Sequence, residues 1–260
     1  VGVNLGGLPA PVVIPMAMIA GILGGGIWAG IAGLLKAKLG VSEVINTIML
    51  NYVATYLVAY LVDGPIQEAA GHYPQSDLLG KTRRLPIILP GTRMHLGVIL
   101  AAVSVVLVYM LLWKLPLGYQ MRAVGNNPIA AKTNGINVAR NMVLAMFLSG
   151  AFAGLAGSVE IMGIHHRLMN GFSSSYGFDS MAVALLGGLH PVGVTIAAIF
   201  FGALRTGANT MQRTLQVPVS LVNVIQGLVI LFVLMQALLS RFTIRIIQRN
   251  AKEKGAKQHA

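Results

Sequence analysis

Charged side chains are missing from six long stretches of this chain, and that pattern governs everything else that can be read from it. No Asp, Glu, Lys or Arg occurs in 1–35, 44–62, 94–113, 141–159, 180–204 or 214–240. Each stretch is about as long as, or longer than, the ~20 apolar residues a spanning helix needs. The pattern predicts an all-α, polytopic helical membrane bundle, with spans near 13–35, 44–62, 94–113 and 141–162 and two apolar runs behind them. The run at 180–204 is interrupted by Gly187-Gly188-Leu189-His190-Pro191, a sequence that stops one helix and starts another. A broken or re-entrant helix pair is therefore expected near 187–191. Its first limb, near 177–187, is only about 16 Å long at helical rise. Irregular backbone at that depth is tolerated only where protein buries it or water reaches it.

One polar island stands apart from the spans. Between Gly118 and Asn137 the chain reads GYQMRAVGNNPIAAKTNGIN. Asn127 is placed as an N-cap, Pro128 as the first helical residue, and Asn134-Gly135 as a left-handed stop. A helix of under two turns does not hold itself together in water, so this one needs bracing from the spans or from a partner. Such a helix on a basic loop has the form of a docking element.

Charge orients the bundle. The chain is 10% charged, where soluble domains carry about 25%, and its formal net charge is +12. The tail at 241–260 carries six basic residues and one acid, and the 114–140 loop carries Lys114, Arg122, Lys132 and Arg140 with no acid. The positive-inside rule puts both in the cytoplasm. The 63–93 connection holds Asp63, Glu68 and Asp77 against Lys81, Arg83, Arg84 and Arg93, which suits the outer side. Counting crossings from the 118–137 loop places the tail inside only if the chain turns back at 187–191. The expected organisation is one transmembrane domain over 1–240, a cytoplasmic loop at 114–140 within it, and a basic cytoplasmic tail at 241–260. The opening Val1-Gly2-Val3-Asn4, without methionine, is expected to lie inside a longer protein.

The positive charge does not point to nucleic acid, because it sits at span ends without interleaved aromatics or a binding module. With no cysteine, disulfides, thiol catalysis and cysteine metal sites are excluded. His165-His166 are adjacent, a poor spacing for two ligands on one helix face, so no metal is expected. No catalytic motif is present, and no cofactor is expected. Small residues recur at four-residue spacing, as Gly21/Gly25, Gly26/Gly30, Gly150/Gly154, Ala153/Gly157, Gly193/Ala197 and Ala198/Gly202. This is the spacing of close helix packing in membranes. Polar residues within spans are few: Asn46, Asn51, Thr55, Ser149, Asn209, Asn223 and Gln226, with Glu160 near a span end. Asn51 is suited either to bonding a neighbouring helix or to lining a path, and Glu160 either to an outer ion pair or to gating. Nothing ionisable sits mid-span in a way that suggests a proton relay or sodium site, which speaks against a proton- or ion-coupled carrier.

Three segments, in order, resemble a known family. Gly40-Val-Ser-Glu43-Val-Ile-Asn46-Thr-Ile-Met-Leu-Asn51-Tyr52 is similar to a hallmark of permease subunits of ABC importers in the simple-sugar and nucleoside branch. Arg122-Ala-Val-Gly-Asn-Asn-Pro-Ile-Ala-Ala131, followed by Gly135-Ile136, resembles their cytoplasmic coupling loop. Gly177-Phe-Asp179-Ser-Met-Ala-Val-Ala-Leu-Leu-Gly187, Pro191, Gly193 and Phe201-Gly202-Ala203 continue the likeness, which is greatest to nucleoside permeases. The resemblance implies a subunit that does not hydrolyse ATP itself. Its partners would be an ABC ATPase, a second, homologous permease and an external solute-binding lipoprotein, in a bacterial cytoplasmic membrane. It assigns ATPase coupling to Arg122, Gly125, Asn126, Asn127, Pro128, Ala130, Ala131 and Gly135. The translocation path is expected to include Asn51, Glu160, Asp179, Asn209 and Asn223. It also implies further membrane segments ahead of Val1. The expected cargo is a nucleoside or similar neutral polar solute; a sugar or branched-chain amino acid is the alternative, and an ion-coupled carrier or a membrane enzyme lies further off.

Overall fold

The computed structural model describes residues 10–215 except 69, 70, 72, 93 and 173–175, together with 224, 225, 227–229, 231, 232 and 235. The described elements are helical: α1 (Ala10–Leu39), α2 (Glu43–Asp63), α3 (Gly97–Tyr109), α4 (Pro116–Asn126), α5 (Pro128–Thr133), α6 (Val138–Glu160), α7 (Tyr176–Leu186) and α8 (Pro191–Leu215). π-helical turns extend α3 over Met110–Lys114 and α6 over Ile161–His165. Five helical stretches are long and apolar enough to cross a membrane: Pro11–Leu39, Glu43–Asp63, Gly97–Lys114, Val138–His165 and Pro191–Leu215. The chain divides into two compact units, 1–174 and 175–260.

In the first unit α1 and α6 run antiparallel and pack backbone to backbone. No hydrophobic effect drives helices together in lipid, so close approach of small residues has to do it. A Cβ on Gly25 would strike the carbonyl oxygen of Gly150, and one on Gly154 would strike that of Gly21. Further along, Gly26 lies under the Phe147 ring, at 2.9 Å from where its Cβ would stand, and Gly33 sits against Val143 and Met146. The glycine spacing in α1 and at Gly150/Gly154 is thus a packing seam, whereas Gly157 faces open space. Asn46 joins α2 to α1 by donating its Nδ2 to the Ala32 carbonyl at 3.1 Å, and it is buried.

The two ends of this unit differ. At one end the 64–96 connection folds over the start of α1 and the end of α6. Leu79 and Leu85 tuck in beside Met162 and are backed by Ile14, Ala17 and Met18 of α1 and Val159 of α6. Backbone bonds from Ser76 N to Leu168 O (2.9 Å), Leu79 N to His166 O (2.8 Å) and Leu85 N to Met162 O (3.1 Å) fasten it. His95 is buried there, its ring wedged against Gly97 and Gly163, where a Cβ would come within 2.6 Å of ring atoms. Gly97 N–H donates to His95 Nδ1 at 3.1 Å, so the imidazole caps the start of α3. At the other end lie Lys36 and Lys38 in the last turn of α1, the exposed Lys36–Glu43 pair (3.3 Å), and the α4–α5 segment.

In the second unit, α7 and α8 form an asymmetric hairpin. The break falls where the sequence places it, with Gly188 at φ 64° and Leu189 at φ 57° in the left-handed region. The turn is tight because Gly187 and Gly193 lie backbone against backbone. α7 has 11 residues and α8 has 25. The short limb therefore spans about 16 Å, half the ~30 Å of a bilayer core, and only α8 is long enough to cross.

Candidate functional site

The polar island folds as two helices, one more than its capping signals predict. α3 ends in its π-helical turn at Lys114, Leu115 is extended (φ −99°, ψ 146°), and Pro116 opens α4. Proline there fixes φ and gives up an N–H that has no helical partner. Gly118 is needed at this reversal, since a Cβ on it would meet Leu111 O and the Leu112 backbone. Arg122 lies 4.5 Å over the Trp113 ring, which stacks on Tyr109, so one basic residue of the loop fastens α4 to the span below it. Asn141, 3% exposed, donates to Gln120 Oε1 at 3.4 Å and to Asn137 O at 3.0 Å, tying α4 to α6. Its own Oδ1 is buried with no hydrogen-bond partner among the described residues.

α5 forms as its sequence predicts. Asn127 Oδ1 accepts from Ile129 N at 3.0 Å and from Ala130 N at 3.1 Å. Pro128 stands at the first helical position and Gly135 turns the chain at φ 76°. Ala131 is 3% exposed and serves as the inward face, while Ile129 is 77% exposed and Ala130 points outward. Between the two helices lies an open groove of about 570 Å³, walled by Tyr119, Ala123, Asn126, Asn127, Ala130 and Asn134 among others. Gly125, on α4, has nothing within 4 Å of its Cβ position. Glycine in a helix is destabilising by roughly 0.5–1 kcal/mol relative to alanine, and no contact among the described residues explains it. Of the eight residues assigned to coupling, Asn126, Asn127 and Ala130 wall the groove, Pro128 and Gly135 shape α5, and Ala131 braces it. Gly125 is exposed and Arg122 faces Trp113.

The residues expected along a path fall in separate places. Asn51 is exposed on α2, beside a ladder of exposed tyrosines at Tyr52, Tyr56 and Tyr60. Glu160 ends α6, with Oε1 3.4 Å from His165 Nε2. The neighbouring His166 is left-handed (φ 57°) and its Nδ1 lies 3.2 Å from Met162 O. Burial, followed by the nearby Arg84 charge, holds this imidazole below its ordinary pKa. Asn223 lies outside the described residues. Asp179 Oδ2 accepts from Arg205 at 3.0 Å, and the same guanidinium lies 4.2 Å over the Tyr176 ring. Asn209 follows Arg205 by one turn of α8.

Arg205 follows the charge-free run at 180–204, and the helix does not stop there. α8 continues to Leu215, so Arg205 lies within a helix that is long and apolar enough to cross a membrane rather than at its end. The signal was a pair of opposite charges 26 residues apart across a Gly-Pro break.

Comparison with known proteins identifies the family. The family model described as "Branched-chain amino acid transport system / permease component" matches residues 2–234. A guanosine ABC transporter permease protein of Bacillus subtilis is 38% identical over 95% of this chain and 71% of its own length. A glucose ABC transporter permease protein of Haloferax volcanii is 36% identical over 95% of this chain and 67% of its own. A nucleoside ABC transporter permease protein of Lactococcus lactis is 32% identical over 94% of this chain and 68% of its own. No solved structure matches the chain at a significant level. The chain belongs to the family of branched-chain amino acid transport system permease components, as a multi-pass membrane subunit of the ABC importer class.

Proposed function

We propose that this permease carries a nucleoside or a similar neutral polar solute into the cell, driven by a separate ABC ATPase that seats on the α4–α5 bracket. One observation carries the reading. A six-residue helix, capped at both ends, is held out from the bundle with Ile129 and Ala130 exposed beside a groove that the described residues leave open. A ridge from the ATPase entering there would contact α5 and the bare surface at Gly125. Because α4 is tied to α3 by Arg122–Trp113 and to α6 by Asn141–Gln120, a push on α5 would reach two spans at once.

The remaining partners follow from the same reading. The apolar faces of the spans are largely exposed within this chain, among them Ile19, Leu23 and Ile27 of α1. Lipid covers part of such a surface, and a second permease subunit is proposed to cover the rest. The fastened cap formed by residues 64–96 would face outward and receive an external solute-binding lipoprotein, in the cytoplasmic membrane of a bacterium. The phenols of Tyr52 and Tyr56 stand mid-helix on α2 without a hydrogen-bond partner among the described residues, which supports a path beside Asn51 rather than lipid. A nucleoside has the favoured chemistry, since the guanosine and nucleoside permeases are among the relatives. A sugar is the second reading, on the strength of the glucose permease.

Ala130→Glu places a charge on the exposed ridge of α5 without disturbing the buried Ala131. The variant is expected to insert normally, to lose co-purification with the ATPase, and to lose uptake. Retention of both would refute the docking assignment.

A further inference from the structure

We propose that the ribbon formed by residues 86–96 is a lipid-contact element, which seats an aliphatic tip in the headgroup region of the leaflet beside α3. The proposal needs only that α2 and α3 cross the membrane, and it is independent of the cargo and of the ATPase.

The ribbon is a built feature rather than a loose loop. Pro86 O accepts from Leu96 N at 3.0 Å, and Met94 O accepts from Ile88 N at 2.8 Å. Ile87 pairs antiparallel with His95. Thr92 N–H closes the tip on Leu89 O at 3.2 Å, around Pro90 and a Gly91 at φ 84°. Proline followed by a positive-φ glycine is the sequence of a type II turn. The base is anchored, since Leu85 packs in the small apolar core and His95 is wedged against Gly97 and Gly163. Yet this fastened ribbon holds Ile87, Ile88, Leu89 and Met94 out at 61%, 42%, 51% and 42% exposure. A fixed cluster of exposed aliphatic side chains marks a surface that something apolar covers.

Three observations name lipid as that cover. Helix length fixes the height of the ribbon. Gly97–Lys114 has 18 residues, about 27 Å at helical rise, so it must use its whole length to cross the ~30 Å core. Gly97 then stands at the membrane boundary, immediately after the ribbon closes at Leu96, and α2 brings Asp63 to the same boundary with 21 residues. Charge is the second observation. Residues 78–96 include Lys81, Arg83, Arg84 and Arg93 and no Asp or Glu. Cations beside an aliphatic tip suit lipid phosphates lying over acyl chains. The third is composition: residues 85–96 hold no Phe, Trp or Tyr, the aromatic anchors in which protein–protein interfaces are enriched. The ribbon is one rim of the cap, and the rest of the cap stays available to a partner.

The test exploits the absence of cysteine from this chain, which makes Leu89→Cys the single attachment point for an environment-sensitive fluorophore. The labelled permease is placed in nanodiscs of phosphatidylcholine and phosphatidylglycerol, whose two faces both meet solvent. Gly80→Cys, in the same cap and with nothing within 4 Å of its Cβ position, is the reference. A nitroxide carried on the acyl chain just below the headgroup should quench the Leu89 label about threefold or more over the Gly80 label, and aqueous iodide should do the reverse. The pattern should persist when the partner subunits are added. Iodide quenching at Leu89 equal to that at Gly80 would overturn the proposal. Shielding from both quenchers, with or without the partner subunits, would assign the tip to a protein surface and overturn it as well. If Leu89→Cys does not insert, Ile88→Cys is read in the same way.

Discussion

At the scale of single residues, Asn127 sets the start of α5. Its backbone is extended (φ −155°, ψ 101°) and its side chain takes the first two free N–H groups of a helix only six residues long. Replacing such a cap by alanine destabilises a helix by about 1 kcal/mol. A helix this short has no cooperative reserve, so Asn127→Ala should raise amide exchange at Ile129–Ala131 about fivefold. Unchanged exchange would mean that the packing of Ala131, not the cap, holds α5. This cap was legible in the sequence because capping chemistry is local: Asn, Pro and Gly each act within a few residues. Arg205 was not legible for the opposite reason. Its partner stands 26 residues earlier, and only the hairpin turn brings the two together. His95 is the same kind of case, its ring seated between glycines at 97 and 163 that no short-range pattern joins.

Among the elements, the α1–α6 seam decides whether the first unit holds together. Gly25 and Gly150 meet through their backbones, and a backbone does not move aside as a side chain does. Gly150→Leu should therefore lower the thermal stability of the detergent-solubilised protein by roughly 1–3 kcal/mol. Gly157→Leu, on the same helix with nothing within 4 Å, is expected to leave it unchanged. Equal effects would mean that the close approach at Gly150 is not what holds the two helices together. The four-residue spacing announced close packing but not which helix would answer it, since α1 and α6 lie more than a hundred residues apart. Charge gaps located the spans well and their ends poorly. They stopped the last described span at 204, one residue before a charge that lies inside α8. They also gave no sign of α4, whose polar sequence looked like loop; the cue was Leu115-Pro116, an extended residue followed by a helix-opening proline.

On the scale of the whole molecule, the first unit has a fastened end and an exposed end. The cap of residues 64–96 is stitched to 162–169 by backbone bonds and a small apolar core, which suits a surface that receives a partner without deforming. The α4–α5 bracket stands at the opposite end, exposed but tied to two spans. The hairpin of α7 and α8 is a separate unit with its own polar face. Under the proposed reading, such a division gives the chain one place to be pushed and another to be docked. The energy for transport is thus proposed to enter from another subunit. The most direct measurement is ATP-driven accumulation of labelled guanosine in proteoliposomes holding this permease and its partner subunits, with and without Ala130→Glu. The account predicts accumulation that requires ATP and the ATPase and that Ala130→Glu abolishes while the assembled spans stay intact. Accumulation by the permease alone, without ATP or ATPase, would contradict it.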